Sequence, residues 1–158
     1  MTPQDPDVHV EPARKSPVQR RLLVLGALLF LLGLLTGLAS GAFANPRMGL
    51  SAHLEGVMNG IFMIALGAAW GHVRLARRAE RIAFWALAFG TSANWGTTLL
   101  AALWGTGRMT PIAAAGRSAA PWQEIMVSAG LVLLSLAMLL GGALVLWGFV
   151  AGGRHRSD

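Results

Sequence analysis

Residues 22–44 read LLVLGALLFLLGLLTGLASGAFA, and the fold turns on whether this run stays in the protein. It carries no charge, and it ends in Ala42-Phe43-Ala44, which fits the A-x-A pattern of a signal-peptidase site. Its length argues the other way, because it exceeds the roughly 7–15 apolar residues of a signal-peptide core. Gly26, Gly33, Gly37 and Gly41 also recur at spacings of seven, four and four. That places small residues on one helical face, the surface that close helix packing in lipid needs. The run is read as a retained transmembrane helix.

Three further uncharged windows follow, Gly56–Val73, Ile82–Gly107 and Ile125–Gly153. A helix needs about 20 apolar residues to cross roughly 30 Å of hydrocarbon. The second window reaches that length once its polar first turn is counted. The expected fold is all-α, an integral membrane four-helix bundle with spans at about 22–44, 50–73, 82–105 and 122–151. Composition agrees: the mean hydropathy is +0.56 and charged residues make up 13% of the chain, against roughly 25% in soluble domains.

The net charge of +6 comes from 13 basic and 7 acidic residues. If the spans alternate in direction, Arg14, Lys15, Arg20, Arg21, Arg74, Arg77, Arg78, Arg81, Arg154 and Arg156 fall on one side. Only Arg47, Arg108 and Arg117 fall on the other. The positive-inside rule then makes both termini cytoplasmic. Topology accounts for the basicity, so no nucleic-acid partner is expected. The chain has no cysteine, which removes disulfides, iron–sulfur clusters, thiolate zinc sites and CxxCH haem attachment. Any metal would be held by His, carboxylate or Met.

Residues 1–19 mix Pro with scattered charge and lack apolar periodicity, so they read as a disordered cytoplasmic tail that includes His9. Residues 20–153 form the single four-span domain, and 154–158 are a basic C-terminal tail. The stretch HVRLARRAER reads as a tight loop between helices 2 and 3, and NPRMGL at 45–50 as a turn. The segment 106–121 reads as irregular. Trp70, Trp85 and Trp147 group at one interface and Trp104 and Trp122 at the other, which leaves Trp95 at mid-membrane, packed in the bundle.

Polar groups at membrane depth are costly and mark functional candidates. Helix 2 offers His53, Glu55 and Asn59; helix 3 offers Thr91, Ser92, Asn94, Thr97 and Thr98; Gln123 and Glu124 open helix 4. His72 borders the arginine-rich loop and His155 lies in the tail. His53, Gly56 and Gly60 share one helical face. That spacing leaves room for a planar macrocycle beside an imidazole ligand, although a groove that seats another helix is the simpler reading. Asn59 lies about 120° round the helix from His53, on the side of Glu55. One helix can therefore show its ligand to one neighbour and its polar pair to another, as in a site between subunits. Glu55 reads either as a first-turn carboxylate favoured by the helix dipole or as a general acid/base. Thr91, Asn94 and Thr98 form one stripe, which interhelical hydrogen bonding alone would explain.

The block NPRMGLSAHLEGVMNG, with ANW at 93–95 and LVLLSLAM in the last helix, resembles the hydroxylaminobenzene mutases, small four-span bacterial membrane proteins. The resemblance covers about residues 20–150. It implies an isomerase that rearranges an N-aryl hydroxylamine to an ortho-aminophenol in the bacterial inner membrane. A more distant similarity is to styrene oxide isomerase, which has an A-H-x-x-G-x-x-N-G block, here Ala52 to Gly60, and an A-N pair, here Ala93-Asn94. That resemblance implies a homotrimer with haem b between subunits and ferric iron acting as a Lewis acid on the epoxide oxygen. It makes His53 the axial iron ligand, with Gly56 and Gly60 beside the cofactor. Asn59 becomes a substrate-side residue from the neighbouring subunit, and Asn94 matches the Asn of the pair. Two departures stand out: Thr98 replaces a substrate-side tyrosine in a chain with no tyrosine, and Glu55 replaces a glycine. Both point away from epoxide isomerisation and towards a different small aromatic substrate, with Trp95 and Thr98 lining its pocket and Glu55, Asn59 and Asn94 acting on it. A non-catalytic haem protein and a purely structural membrane protein are the rival classes.

Overall fold

The computed structural model describes residues 16–154. Most of the segment assigned to the N-terminal tail, including His9, and residues 155–158 lie outside them. All regular structure among the described residues is helical. Helix α1 spans Pro17–Ala39, α2 Pro46–Ala69, α3 Arg77–Trp104, α4 Pro111–Ala114 and α5 Pro121–Arg154. Short 3-10 turns at Ser40–Ala42 and Trp70–His72 extend α1 and α2.

Several boundaries differ from the sequence reading, each for a local reason. Helix α1 begins inside the expected tail because Ser16 caps it, its side chain accepting from the Gln19 N–H at 3.1 Å, with Pro17 at the first helical position. NPRMGL is the start of α2 and not a turn. The Asn45 side chain accepts from the N–H groups of Arg47 and Met48, and Pro46 occupies the first helical position. The expected loop HVRLARRAER shrinks to residues 73–76, since Arg77, Arg78 and Arg81 are good helix formers and join α3. The stretch 106–121 contains the single turn α4.

Three elements are long and apolar enough to cross a membrane: Pro17–Ala42, Pro46–His72 and Pro121–Gly152. Helix α3 has 28 residues. Its length is sufficient, but the charged turn at 77–81 and five polar residues between Thr91 and Thr98 lower its apolar character.

Across the fold the order is α1, α2, α3, α5. Helices α1 and α2 make the largest interface, α3 packs on α2, and α5 packs on α3. One apolar cluster unites Leu22, Met63, Trp70, Phe84, Leu87 and Val145 at the end where α2 leads into α3. There the Trp70 indole donates to Glu80 Oε1 at 3.0 Å and pins the α2–α3 connection. A second cluster, Met48, Ala101, Ala102 and Val127, closes the opposite end. Glu124 ties that end together, its carboxylate accepting from the backbone N–H groups of Gly107, Arg108 and Ala119. Large apolar side chains such as Leu38, Leu139 and Trp147 point outwards, as on a surface that meets lipid.

Candidate functional site

Helix α2 is the element that positions the site, because it lies between α1 and α3 and turns a different polar residue to each. Its N-terminus is held firmly. Asn45 is fully buried, its backbone N–H donates to the Ala102 carbonyl at 2.9 Å, and its side-chain amide donates to the Ala113 carbonyl at 3.0 Å. The register of α2 against the end of α3 is thereby set.

Towards α3, Glu55 and Asn59 lie one turn apart. The Asn94 amide of α3 donates to Glu55 Oε2, and the Asn59 amide donates to the same oxygen at 3.4 Å. The Asn59 amide also reaches the Thr91 carbonyl at 3.5 Å. Asn59 and Thr91 are buried, while Glu55 and Asn94 are half-buried. Both amides converge on one carboxylate oxygen, so that oxygen acts as the acceptor and Oε1 is the atom left to carry a proton. Glu55, Asn59 and Asn94 are thus brought together.

Towards α1, His53 Nδ1 lies 2.8 Å from the Gly33 carbonyl oxygen. A carbonyl only accepts, so Nδ1 bears the hydrogen and Nε2 keeps its lone pair. Gly37 makes the room: a Cβ there would stand 2.6 Å from His53 Nδ1. Gly56 and Gly60 are also covered by α1. A Cβ on Gly56 would lie 2.5 Å from Gly33 Cα, and one on Gly60 would lie 2.5 Å from the Phe30 nitrogen. Helix α1 therefore occupies the face that the spacing left open for a helix or a macrocycle. His53 and the Glu55 cluster are on different sides of α2, and one chain does not bring them together.

Trp95 belongs to the interior. Its indole donates to the Thr36 hydroxyl at 3.1 Å, and the Thr36 hydroxyl donates to the Leu32 carbonyl at 2.7 Å. The ring edge lies 2.9 Å from the position a Gly56 Cβ would take. Trp95 thus locks α3 to α1 across α2. Thr98 is buried on the α3 stripe, one turn beyond Asn94.

The chemistry of His53 suits an iron ligand. A metal-bound histidine commonly donates its other ring N–H to a backbone carbonyl, which fixes the tautomer and turns the free nitrogen to the metal. Gly33 provides that carbonyl. The wall of a macrocycle is another matter, because Gly56 and Gly60 are already filled by α1. No three His, Asp or Glu side chains gather among the described residues to hold a bare metal ion.

Gly33, Gly37 and Thr36 carry roles that sequence reasoning did not assign. The glycine stripe was visible only as a packing surface, and Thr36 is the sole hydroxyl between Ser16 and Ser40. That isolated hydroxyl inside a leucine run was the available signal.

Three helices long and apolar enough to cross a membrane, with a carboxylate held by two amides between two helices, mark the class as a membrane protein with a polar site inside its bundle. The sequence model of styrene oxide isomerase matches residues 18–150, and the chain belongs to that family. It is 50% identical over 147 residues to the hydroxylaminobenzene mutase HabB of Ectopseudomonas oleovorans, covering 92% of this chain and 90% of the relative. It is 40% identical over 134 residues to HabA of the same organism, also a hydroxylaminobenzene mutase, covering 84% and 99%. No solved structure matches. The family and both relatives make the protein an isomerase.

Proposed function

We propose that the protein rearranges aryl hydroxylamines such as hydroxylaminobenzene to 2-aminophenols by moving the hydroxyl within the molecule. The observation that carries this reading is the Glu55 carboxylate held between Asn59 and Asn94, in a chain half identical to a hydroxylaminobenzene mutase.

Glu55 Oε1 gives its proton to the hydroxylamine oxygen, and the N–O bond breaks with its electron pair on oxygen. The water so released adds to the ortho carbon and returns a proton to the carboxylate. The ortho ring proton moves to nitrogen and restores aromaticity, so the product is an isomer of the substrate. Asn59 and Asn94 hold the carboxylate in place and orient the substrate. The apolar surroundings exclude bulk water that would otherwise capture the cation. Trp95 and Thr98 bound the pocket on the α3 side.

Haem b, held by His53 Nε2, would supply ferric iron as a Lewis acid. A homotrimer in which one chain's His53 faces the Asn59 side of the next chain would bring the two sides of α2 to one site. Helix α3 is the fourth span: from Ile82 to Trp104 it is about 34 Å long, enough for the hydrocarbon core. The four spans within 20–153 would lie in the bacterial inner membrane, with both termini cytoplasmic and the Asn45 end outside.

The test is to supply the purified protein with phenylhydroxylamine and assay 2-aminophenol, with styrene oxide as the comparison substrate. Formation of 2-aminophenol is expected, and turnover of styrene oxide without it would overturn the reading.

A further inference from the structure

Arg47, Ser51, Glu55 and Asn59 succeed one another at four-residue spacing on α2. Each lies about 40° round the helix and about 6 Å along the axis from the next. Glu55 and Asn59 belong to the polar cluster with Asn94. Arg47 and Ser51 line a surface pocket of about 480 Å3 whose opposite wall includes Met109, Ile112 and Ala113 around α4. A helical side chain leans towards the N-terminus of its helix. Glu55 follows Ser51 by one turn, about 6 Å along the axis, so Ser51 is the α2 lining residue nearest the cluster in the helix.

The wall opposite α2 is held in place. Asn45 bonds the Ala113 carbonyl, and Glu124 grips the backbone at Gly107, Arg108 and Ala119. The lining is amphipathic: Leu50, Met109 and Ile112 are apolar and largely exposed. The Ser51 hydroxyl donates to the Arg47 carbonyl at 3.2 Å, so its oxygen still has lone pairs for an N–H donor. The volume falls within the roughly 300–1,000 Å3 of small-molecule sites.

We propose that this pocket is the vestibule through which a small aromatic amphiphile reaches Glu55, with Ser51 at its inner edge. The ring rests against Leu50, Met109 and Ile112 while the hydroxylamine nitrogen meets Ser51. Arg47 at the mouth favours neutral or anionic ring substituents over cationic ones. The identity of the occupant rests on the mutase reading.

The natural chain has no cysteine, so single thiols report cleanly. Ser51→Cys and, as a control on an exposed position away from the pocket, Ser118→Cys are labelled in detergent with a charged methanethiosulfonate. The labelling is run anaerobically, with and without 2-aminophenol. The expected result is at least severalfold slower labelling at position 51 with 2-aminophenol present, and an unchanged rate at position 118. Equal rates at position 51 would overturn the vestibule. Independently, Ile112→Trp changes a side chain that is 85% exposed. It is expected to raise KM for phenylhydroxylamine about tenfold with kcat unchanged, and an unchanged KM would also overturn it. A wild type that forms no 2-aminophenol sinks the mutase reading; where 2-aminophenol is formed, equal labelling rates at position 51 overturn the vestibule alone.

Discussion

The Asn94 amide of α3 donates to the Glu55 carboxylate of α2 across 39 residues of sequence. Asn59 donates to the same oxygen from one turn away. A carboxylate between α2 and α3 thus has its orientation set by two amides, which both meet Oε2.

Glu55→Gln keeps an oxygen for the two amides to donate to but has no proton to transfer. Removing a general acid typically costs about 10²–10⁴-fold in rate. The variant should therefore fold with a near wild-type melting profile and lose kcat by about 100-fold or more in a 2-aminophenol assay. Full activity would leave Glu55 with a purely structural role.

Asn94→Ala removes one donor and leaves a half-buried carboxylate under-satisfied. Unsatisfied buried polar groups cost about 1–3 kcal/mol. A drop of that size is expected in denaturant titration in detergent, together with lost activity. Restoring the amide with Asn94→Gln should recover stability more fully than activity, since the longer chain moves the donor.

His53→Ala tests the proposed role of His53 as a haem ligand. The purified wild type should show a Soret band in its visible spectrum, and the variant should not. A colourless wild type that rearranges phenylhydroxylamine would remove haem from the mechanism and leave proton transfer at Glu55 as the main agent.

Two glycines should respond in opposite ways to alanine. At Gly33 a Cβ would lie 2.5 Å from the Val57 nitrogen, with only backbone nearby to yield. Gly33→Ala should destabilise by about 1–3 kcal/mol as an overpacked interface and disturb the carbonyl that holds His53. At Gly142 nothing lies within 4 Å. Gly142→Ala in the middle of α5 should stabilise by about 0.5–1 kcal/mol through helix propensity alone. Thermal melts of the two variants side by side check both signs.

Glu124→Gln weakens the clamp on the segment 107–119, because a neutral amide oxygen accepts backbone N–H bonds less strongly than a carboxylate. Faster limited proteolysis within that segment is expected, while the Glu55 cluster, whose hydrogen bonds do not involve Glu124, keeps its activity when the substrate is saturating.

Much of this was legible in the sequence because it depends on one helix at a time. Uncharged runs of sufficient length mark the helices, and Asn45-Pro46 is an N-cap followed by a first-turn proline, although NPRMGL reads more readily as a turn. The i, i+4 spacing of Glu55 and Asn59 puts them together whatever surrounds them. The boundaries near 77 were less legible because the arginines that mark the membrane edge are also good helix formers.

Helical periodicity alone gives α2 a histidine side and a carboxylate–amide side, since a period of about 3.6 residues sets the angle between them. What each side meets is a matter of packing. Gly33, Gly37, Gly56 and Gly60 let α1 approach backbone to backbone, so α1 fills the glycine groove and its Gly33 carbonyl takes the His53 ring. That leaves α3 to bring Asn94 to Glu55. The period of a helix fixes relative directions within it, but the choice of neighbour depends on how closely two backbones can approach, and that is a property of the pair.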